Sequence, residues 1–265
     1  MKTLAFVGCG KLSDVVVNAK LNGLLPEYAL VGAYSRNKIN SQRLCEKVND
    51  FIGDRHCVSC QSIDELLTLN PDYIVEAASP DALKEFIVPA LKQGTSVITL
   101  SIGAFADKEF YEKVQEVAKK SASKVHIVSG AIGGFDVLST LTLMGANEAS
   151  FDTEKGAKSL RSSSIYDPEL ERQQKTVFEG TAVEAIECFP TQVNVAVAAS
   201  LASVGPENMK VSMTSTPNYV GDEHKIRIQG NGIRASINVY SSTAHIAGWS
   251  VVSTLRNIVS PIKFG

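Results

Sequence analysis

The run Gly8-Cys9-Gly10-Lys11-Leu12-Ser13 has the spacing G-x-G-x-x-G/A, with serine in the last place. In that pattern the first glycine permits a tight turn and the second lets backbone approach a pyrophosphate. The third place needs a small residue so that a helix can pack on a strand. The run follows the apolar Leu4-Ala5-Phe6-Val7 and precedes a helical pattern, which is the context of a dinucleotide site. Gly8, Gly10, Lys11 and Leu12 are then the expected contacts. An acidic residue after the second strand normally takes the ribose 2′-hydroxyl of NAD. Here that place reads Tyr34-Ser35-Arg36-Asn37-Lys38, with no carboxylate. Arginine pairs well with phosphate, so Ser35 and Arg36 favour NADP over NAD as the cofactor.

Three more turns follow apolar runs: Ala78-Ser79-Pro80, Ser101-Ile102-Gly103 and Gly130-Ala131-Ile132-Gly133-Gly134. Each alone is an ordinary helix start. Together they fall where a sheet of this kind places the nicotinamide end of a dinucleotide, beyond the carboxyl ends of its strands.

Histidine is the side chain that takes and returns protons near neutral pH, and there are four: His56, His126, His224 and His245. His224 opens the strand pattern KIRIQ, so alternation places it on the inward face with Ile226 and Ile228. His126 lies in an apolar strand and is expected in the core. His245 begins the last helix, whose positive end can hold a carboxylate. His56-Cys57-x-x-Cys60 lacks a second pair of ligands for structural zinc. The five cysteines therefore read as ordinary thiols of a reducing compartment, with no metal.

Elements that could position these residues follow from hydrophobic periodicity. Strands are expected at Leu4–Val7, Tyr28–Tyr34, Cys57–Val58, Tyr73–Ala77, Ser96–Leu100 and Val125–Val128. Between them, helices are expected at Leu12–Asn22, Ile39–Val48, Ile63–Leu69, Asp81–Lys92 after Pro80, and Lys108–Ser121. Repeated βα units imply a parallel sheet covered by helices on both faces. Beyond about residue 135 the pattern becomes period-2. Strands are expected at Ala157–Arg161, Lys175–Glu179, Lys210–Ser215, Lys225–Gln229 and Ala235–Tyr240, with helices at Asn194–Ala202 and Ala244–Val259. The fold class is thus α/β with a second α+β domain. Residues 1–130, completed by a C-terminal helix within 243–265, form the dinucleotide domain, and residues 131–242 form the second.

Hydrophobic residues make up 44% and charged residues 20% of the 265, as in a soluble globular protein. A net charge of −2 argues against a nucleic-acid partner. No apolar run is long enough for a membrane helix, and the first residues lack a signal peptide's pattern. The expected location is cytoplasmic.

VEAASPDALKEF, SIGAFADKEFYEK, SGAIGGFDVL, KTVFEGTAVEAIECFP, QVNVAVAASLA and LRNIVSPIKFG, taken in order, resemble the L-aspartate dehydrogenase family. The resemblance runs over nearly the whole chain. It implies a Rossmann-type doubly wound sheet, a catalytic and dimerisation domain, and a homodimer. It also implies NAD(P)-dependent oxidation of L-aspartate to iminoaspartate, which hydrolyses to oxaloacetate and ammonia and can feed NAD synthesis. By the same resemblance Ala131 and Asn194 contact the cofactor and His224 is catalytic, while Ala78 and Ser79 are expected contacts from their place at a strand exit. The family's N-P-K-T-S segment reads Tyr240-Ser241-Ser242-Thr243-Ala244 here, and its A-D-P tract reads Ser215-Thr216-Pro217. A lysine is missing from the first, although aspartate brings two carboxylates. Thr243, His245 and the start of the last helix remain as candidates to hold one. A non-catalytic NAD(P)-binding protein, or a reductase of another small oxo or imino acid, stays open as an alternative.

Overall fold

Continuous apolar runs in the first half become buried parallel strands. The computed structural model describes residues 1–52, 56–161, 163, 165–189 and 193–263. The chain divides into two compact units: Met1–Val128 with Ala247–Gly265, and Ser129–Ile246. The sequence had placed these boundaries at 130/131 and 242/243.

In the first unit the elements run β1 (Lys2–Val7), α1 (Lys11–Leu21), β2 (Tyr28–Tyr34), α2 (Lys38–Ile52), β3 (Val58–Ser59), α3 (Ile63–Thr68), β4 (Tyr73–Glu76), α4 (Pro80–Lys92), β5 (Ser96–Thr99), α5 (Lys108–Ser121) and β6 (Val125–Ile127). All strand pairs are parallel, in the order β3-β2-β1-β4-β5-β6. That order is the doubly wound Rossmann arrangement, with its switch point between β1 and β4. Leu4, Phe6, Leu30, Val75 and Ile98 form the core. Pro80 is the first residue of α4, where its missing N–H costs nothing, and Ser79 caps the helix by accepting from Ala82 N. His126 is only half-buried. The expectation of a core histidine fails because β6 is an edge strand, paired with β5 alone.

The second unit comprises α6 (Phe135–Leu143), β7 (Glu148–Gly156), β8 (Lys175–Thr181), α7 (Ala182–Cys188), α8 (Asn194–Leu201), β9 (Lys210–Thr216), β10 (Asp222–Gly230) and β11 (Ile233–Ser241). The strands form a mixed sheet in the order β11-β10-β7-β9-β8. Its inner face carries Ala149, Phe151, Val211, Met213, Ile226 and Ile228, in one cluster with residues of α6, α7 and α8. Three expectations change here. The expected strand at Ala157–Arg161 is a 3₁₀ turn over Ala157–Leu160, and the true strand, β7, lies just before it. α6 and α7 were not expected at all. Thr181 and Glu184 close a capping box that starts α7.

The last helix, α9 (His245–Val259), begins at the unit boundary. Within the first unit it packs closely on α1. A Cβ added at Gly248 would stand 2.8 Å from Val15 Cβ and 3.0 Å from Leu12 O. Among the described residues no helix is long and apolar enough to cross a membrane.

Ser13, in the third-glycine place of the turn, is fully buried and donates to Gly8 O at 2.6 Å. Replacing it by alanine leaves that carbonyl without its hydroxyl partner. Ser13→Ala is expected to destabilise the fold by about 1–2 kcal/mol in urea unfolding, and Ser13→Gly by no less. An unchanged denaturation midpoint in both would show that the hydroxyl carries no stability.

Candidate active site

The exits of three strands are stitched together under the glycine turn. Gly8 N donates to Tyr34 O at 2.9 Å, and Ala77 N donates to Val7 O at 2.9 Å. Gly8 has φ +87°, and a Cβ there would stand 2.6 Å from Ala77 O and 2.8 Å from Ala78 N. Only glycine meets both the dihedral and the contact. Gly10 sits at the N-cap of α1 with open space where a Cβ would be, and no side chain caps that helix. Its amides are left for an anion.

A cavity of about 330 Å³ opens over these exits. Gly8, Gly10, Ser35, Arg36, Ala78 and Ser79 all lie on its wall. Lys11 and Leu12, the first residues of α1, do not. The donor set fits a dinucleotide: glycine backbone and uncapped helix amides for a pyrophosphate, a guanidinium and a hydroxyl near the end of β2. Asp81 and Glu85 also line the cavity, one turn apart on α4. Neither carries a local sequence signal for that position.

Glu76, at the end of β4, is fully buried. Its Oε1 accepts from Ala78 N at 2.7 Å and from Ser101 Oγ at 2.7 Å. Oε2 accepts from Thr99 Oγ1 at 2.6 Å and from Ser101 N at 3.1 Å. Burial pushes its pKa up, while these donors pull it down. The carboxylate thereby ties the turn after β4 to the turn after β5. A lone glutamate in the apolar run Tyr73-Ile74-Val75-Glu76 was the signal for it.

In the second unit, Gly130 and Gly134 have φ +62° and +75°, and a Cβ at Gly130 would stand 3.6 Å from Val195 Cγ2. The turn that holds Ala131 therefore lies beside the start of α8, where Asn194 is the first residue. Ala131 and Asn194 are both half-buried.

His224 is 4% exposed and shares the inner face of β10 with Ile226 and Ile228, as alternation requires. Its ring stacks on Phe151 with centroids 5.5 Å apart. Nδ1 lies 2.9 Å from Thr153 Oγ1, and either atom can donate. Nε2 is the nitrogen left for a reacting proton. Burial pushes the pKa down to about 4; the Lys155 ammonium acts in the same direction and Asp222 opposes it. His224 is therefore a neutral imidazole at neutral pH, able to accept a proton.

Thr243 and His245 are exposed, and Thr243 Oγ1 accepts from His245 N at 3.2 Å. Cys9, Cys45, Cys57 and Cys60 are buried thiols and Cys188 is exposed. Among the described residues no three His, Cys, Asp or Glu side chains are grouped to hold a metal ion.

Between about pH 6.5 and pH 4 the unfolded chain binds a proton at His224 that the folded chain refuses. Stability must fall as pH drops through that window. The thermal midpoint of His224→Gln is expected to fall less steeply over the same range. His126, also pushed down by burial, contributes equally to both proteins. Parallel slopes would contradict a depressed His224.

Family models match both units: an aspartate dehydrogenase C-terminal model over residues 136–258, and a homoserine dehydrogenase NAD-binding model over residues 8–128. An L-aspartate dehydrogenase of Methanosarcina mazei is 36% identical over 278 residues, and one of Methanocaldococcus jannaschii is 31% identical over 275, with 100% of both chains covered in each case. The crystal structure of aspartate dehydrogenase from Thermotoga maritima superposes with a TM-score of 0.76 at 29% identity, covering 100% of both chains. With the identity sustained from end to end, the chain belongs to the L-aspartate dehydrogenase family.

Proposed function

We propose that this protein catalyses the NAD(P)-dependent oxidative deamination of L-aspartate to iminoaspartate, which water converts to oxaloacetate and ammonia. The observation that carries the reading is His224: a buried, neutral imidazole on the inner face of the second unit, in a chain whose full length matches aspartate dehydrogenases. Gly8, Gly10, Ala78 and Ser79 would hold the dinucleotide, with Ala131 and Asn194 as further contacts. When bound, the dinucleotide would supply a nicotinamide as acceptor for the hydride of the substrate α-carbon.

The α-carbon releases a hydride only from a substrate whose amine has lost its proton. His224 Nε2 accepts that proton, while Thr153 fixes the ring through Nδ1. Once that proton has passed to solvent, the same nitrogen serves the water that attacks the imine, taking a proton as the C–O bond forms. Removing a general base of this kind costs about 10²–10⁴ in rate.

Ser35 and Arg36 support NADP as the preferred cofactor, because Arg36 offers a bidentate donor for a 2′-phosphate. The family resemblance supports a homodimer, which light scattering on the purified protein would check.

Formation of reduced cofactor at alkaline pH, with L-aspartate and with NADP and NAD in parallel, tests the reading. L-aspartate should drive reduction, faster at low cofactor concentration with NADP. His224→Ala should lose about 10²–10⁴ in kcat. Arg36→Ala should raise the KM for NADP by about 10- to 100-fold while sparing NAD. No reduction with L-aspartate would overturn the reaction, and a His224→Ala protein with full kcat would overturn the base.

A further inference from the structure

The inner face of the second sheet is apolar along most of its length and polar at one end. Met213 of β9, Thr153 of β7 and His224 of β10 stand side by side in register. The next row out holds Ser215, Lys155 and Asp222. Lys155 is 7% exposed and Ser215 is fully buried. A lysine this deep is rare unless paired, and here its Nζ lies 2.9 Å from Asp222 Oδ1. An ammonium has three donors, and among the described residues Asp222 is the one partner. Ser215 Oγ, on the neighbouring strand, is a buried hydroxyl with no hydrogen-bond partner among the described residues. Buried hydroxyls are nearly always satisfied, so this one is a donor left over beside a buried ammonium.

We propose that Lys155 and Ser215 form a subsite for a carboxylate of the substrate, one row along the strands from His224. A carboxylate accepts from an ammonium and a hydroxyl at once, which matches the two donors here. Two residues along a strand span about 7 Å, a distance that a small amino dicarboxylate bridges together with the lysine and histidine side chains. The subsite rests on the functional reading above and supplies the cation that Tyr240–Ala244 lacks. It also gives a use to Ser215, which stands where the family's A-D-P tract has alanine. A carboxylate at Lys155 would offset the ammonium's downward pull on His224, making that base stronger when substrate is bound.

Kinetics with L-aspartate and inhibition by succinate, a dicarboxylate with no amine to oxidise, test the subsite in the whole protein. Ser215→Ala should raise the KM for L-aspartate and the inhibition constant of succinate in parallel, by about 5- to 10-fold. Lys155→Met should raise both by about 10- to 100-fold. In Ser215→Ala kcat and the KM for cofactor should stay within about threefold, since ground state and transition state lose the same contact. Lys155→Met also removes the charge beside His224, so its kcat should change as well. Should Lys155→Met fold poorly in thermal melts, Ser215→Ala decides alone. Wild-type turnover of L-aspartate with unchanged constants in Ser215→Ala would overturn the subsite and leave the reaction standing. If the wild type does not oxidise L-aspartate, calorimetric binding of succinate replaces kinetics. Binding weakened in Ser215→Ala then supports the subsite without the reaction, and absent or unaltered binding overturns it.

Discussion

Burial of an imidazole beside a buried ammonium is the constraint on which the proposed chemistry depends. Desolvation disfavours the charged form of His224, and the Lys155 charge adds to that effect. Both act to leave the ring neutral with one nitrogen free. The cost is kept tolerable because Asp222, half open to solvent, pairs with Lys155 and Thr153 occupies Nδ1. Removing one partner of a buried ion pair is expensive because it leaves the other charge unpaired, so Lys155 and Asp222 are held together. The apolar rows further along, Phe151 with Ile226 and Ala149 with Ile228, provide the packing that holds the polar end in place.

The first unit solves a different problem, which is how to bring backbone close to a ligand. Gly8 is pressed on Ala77 so tightly that no side chain fits, and Ser13 holds the turn from inside the helix. Glu76 extends the same logic to the next two strand exits by accepting from four donors. The cavity wall is therefore set by strand ends and short turns rather than by long loops, which favours precise placement.

Legibility in the sequence followed burial. β2 and α5 fall at the expected residues, because a continuous apolar run and a strongly amphipathic helix leave little choice. β7 was missed although its inward residues alternate, since two of them are Thr153 and Lys155, polar side chains that periodicity counts as outward. The same feature hid the carboxylate subsite, whose members are recognisable only once strand register sets them side by side. His224 was legible because Ile226 and Ile228 mark its face. The cavity residues from α4 were not, because nothing local in Asp81 or Glu85 says what the helix lies against. The turn at Ala157–Leu160 buries Ala157 and Leu160, three residues apart, which is the period of a 3₁₀ turn and not the period of two that marks a strand.

Deuterium placed on the α-carbon of L-aspartate tests the proposed reaction most directly. Mass spectrometry of the nicotinamide after turnover should find one deuterium in each reduced cofactor, because the bond broken by oxidation is the α-carbon–hydrogen bond. Label retained in a deaminated product would mean elimination, which takes a β-proton. Label released to water would mean that the α-hydrogen leaves as a proton. Either result would contradict hydride transfer from aspartate.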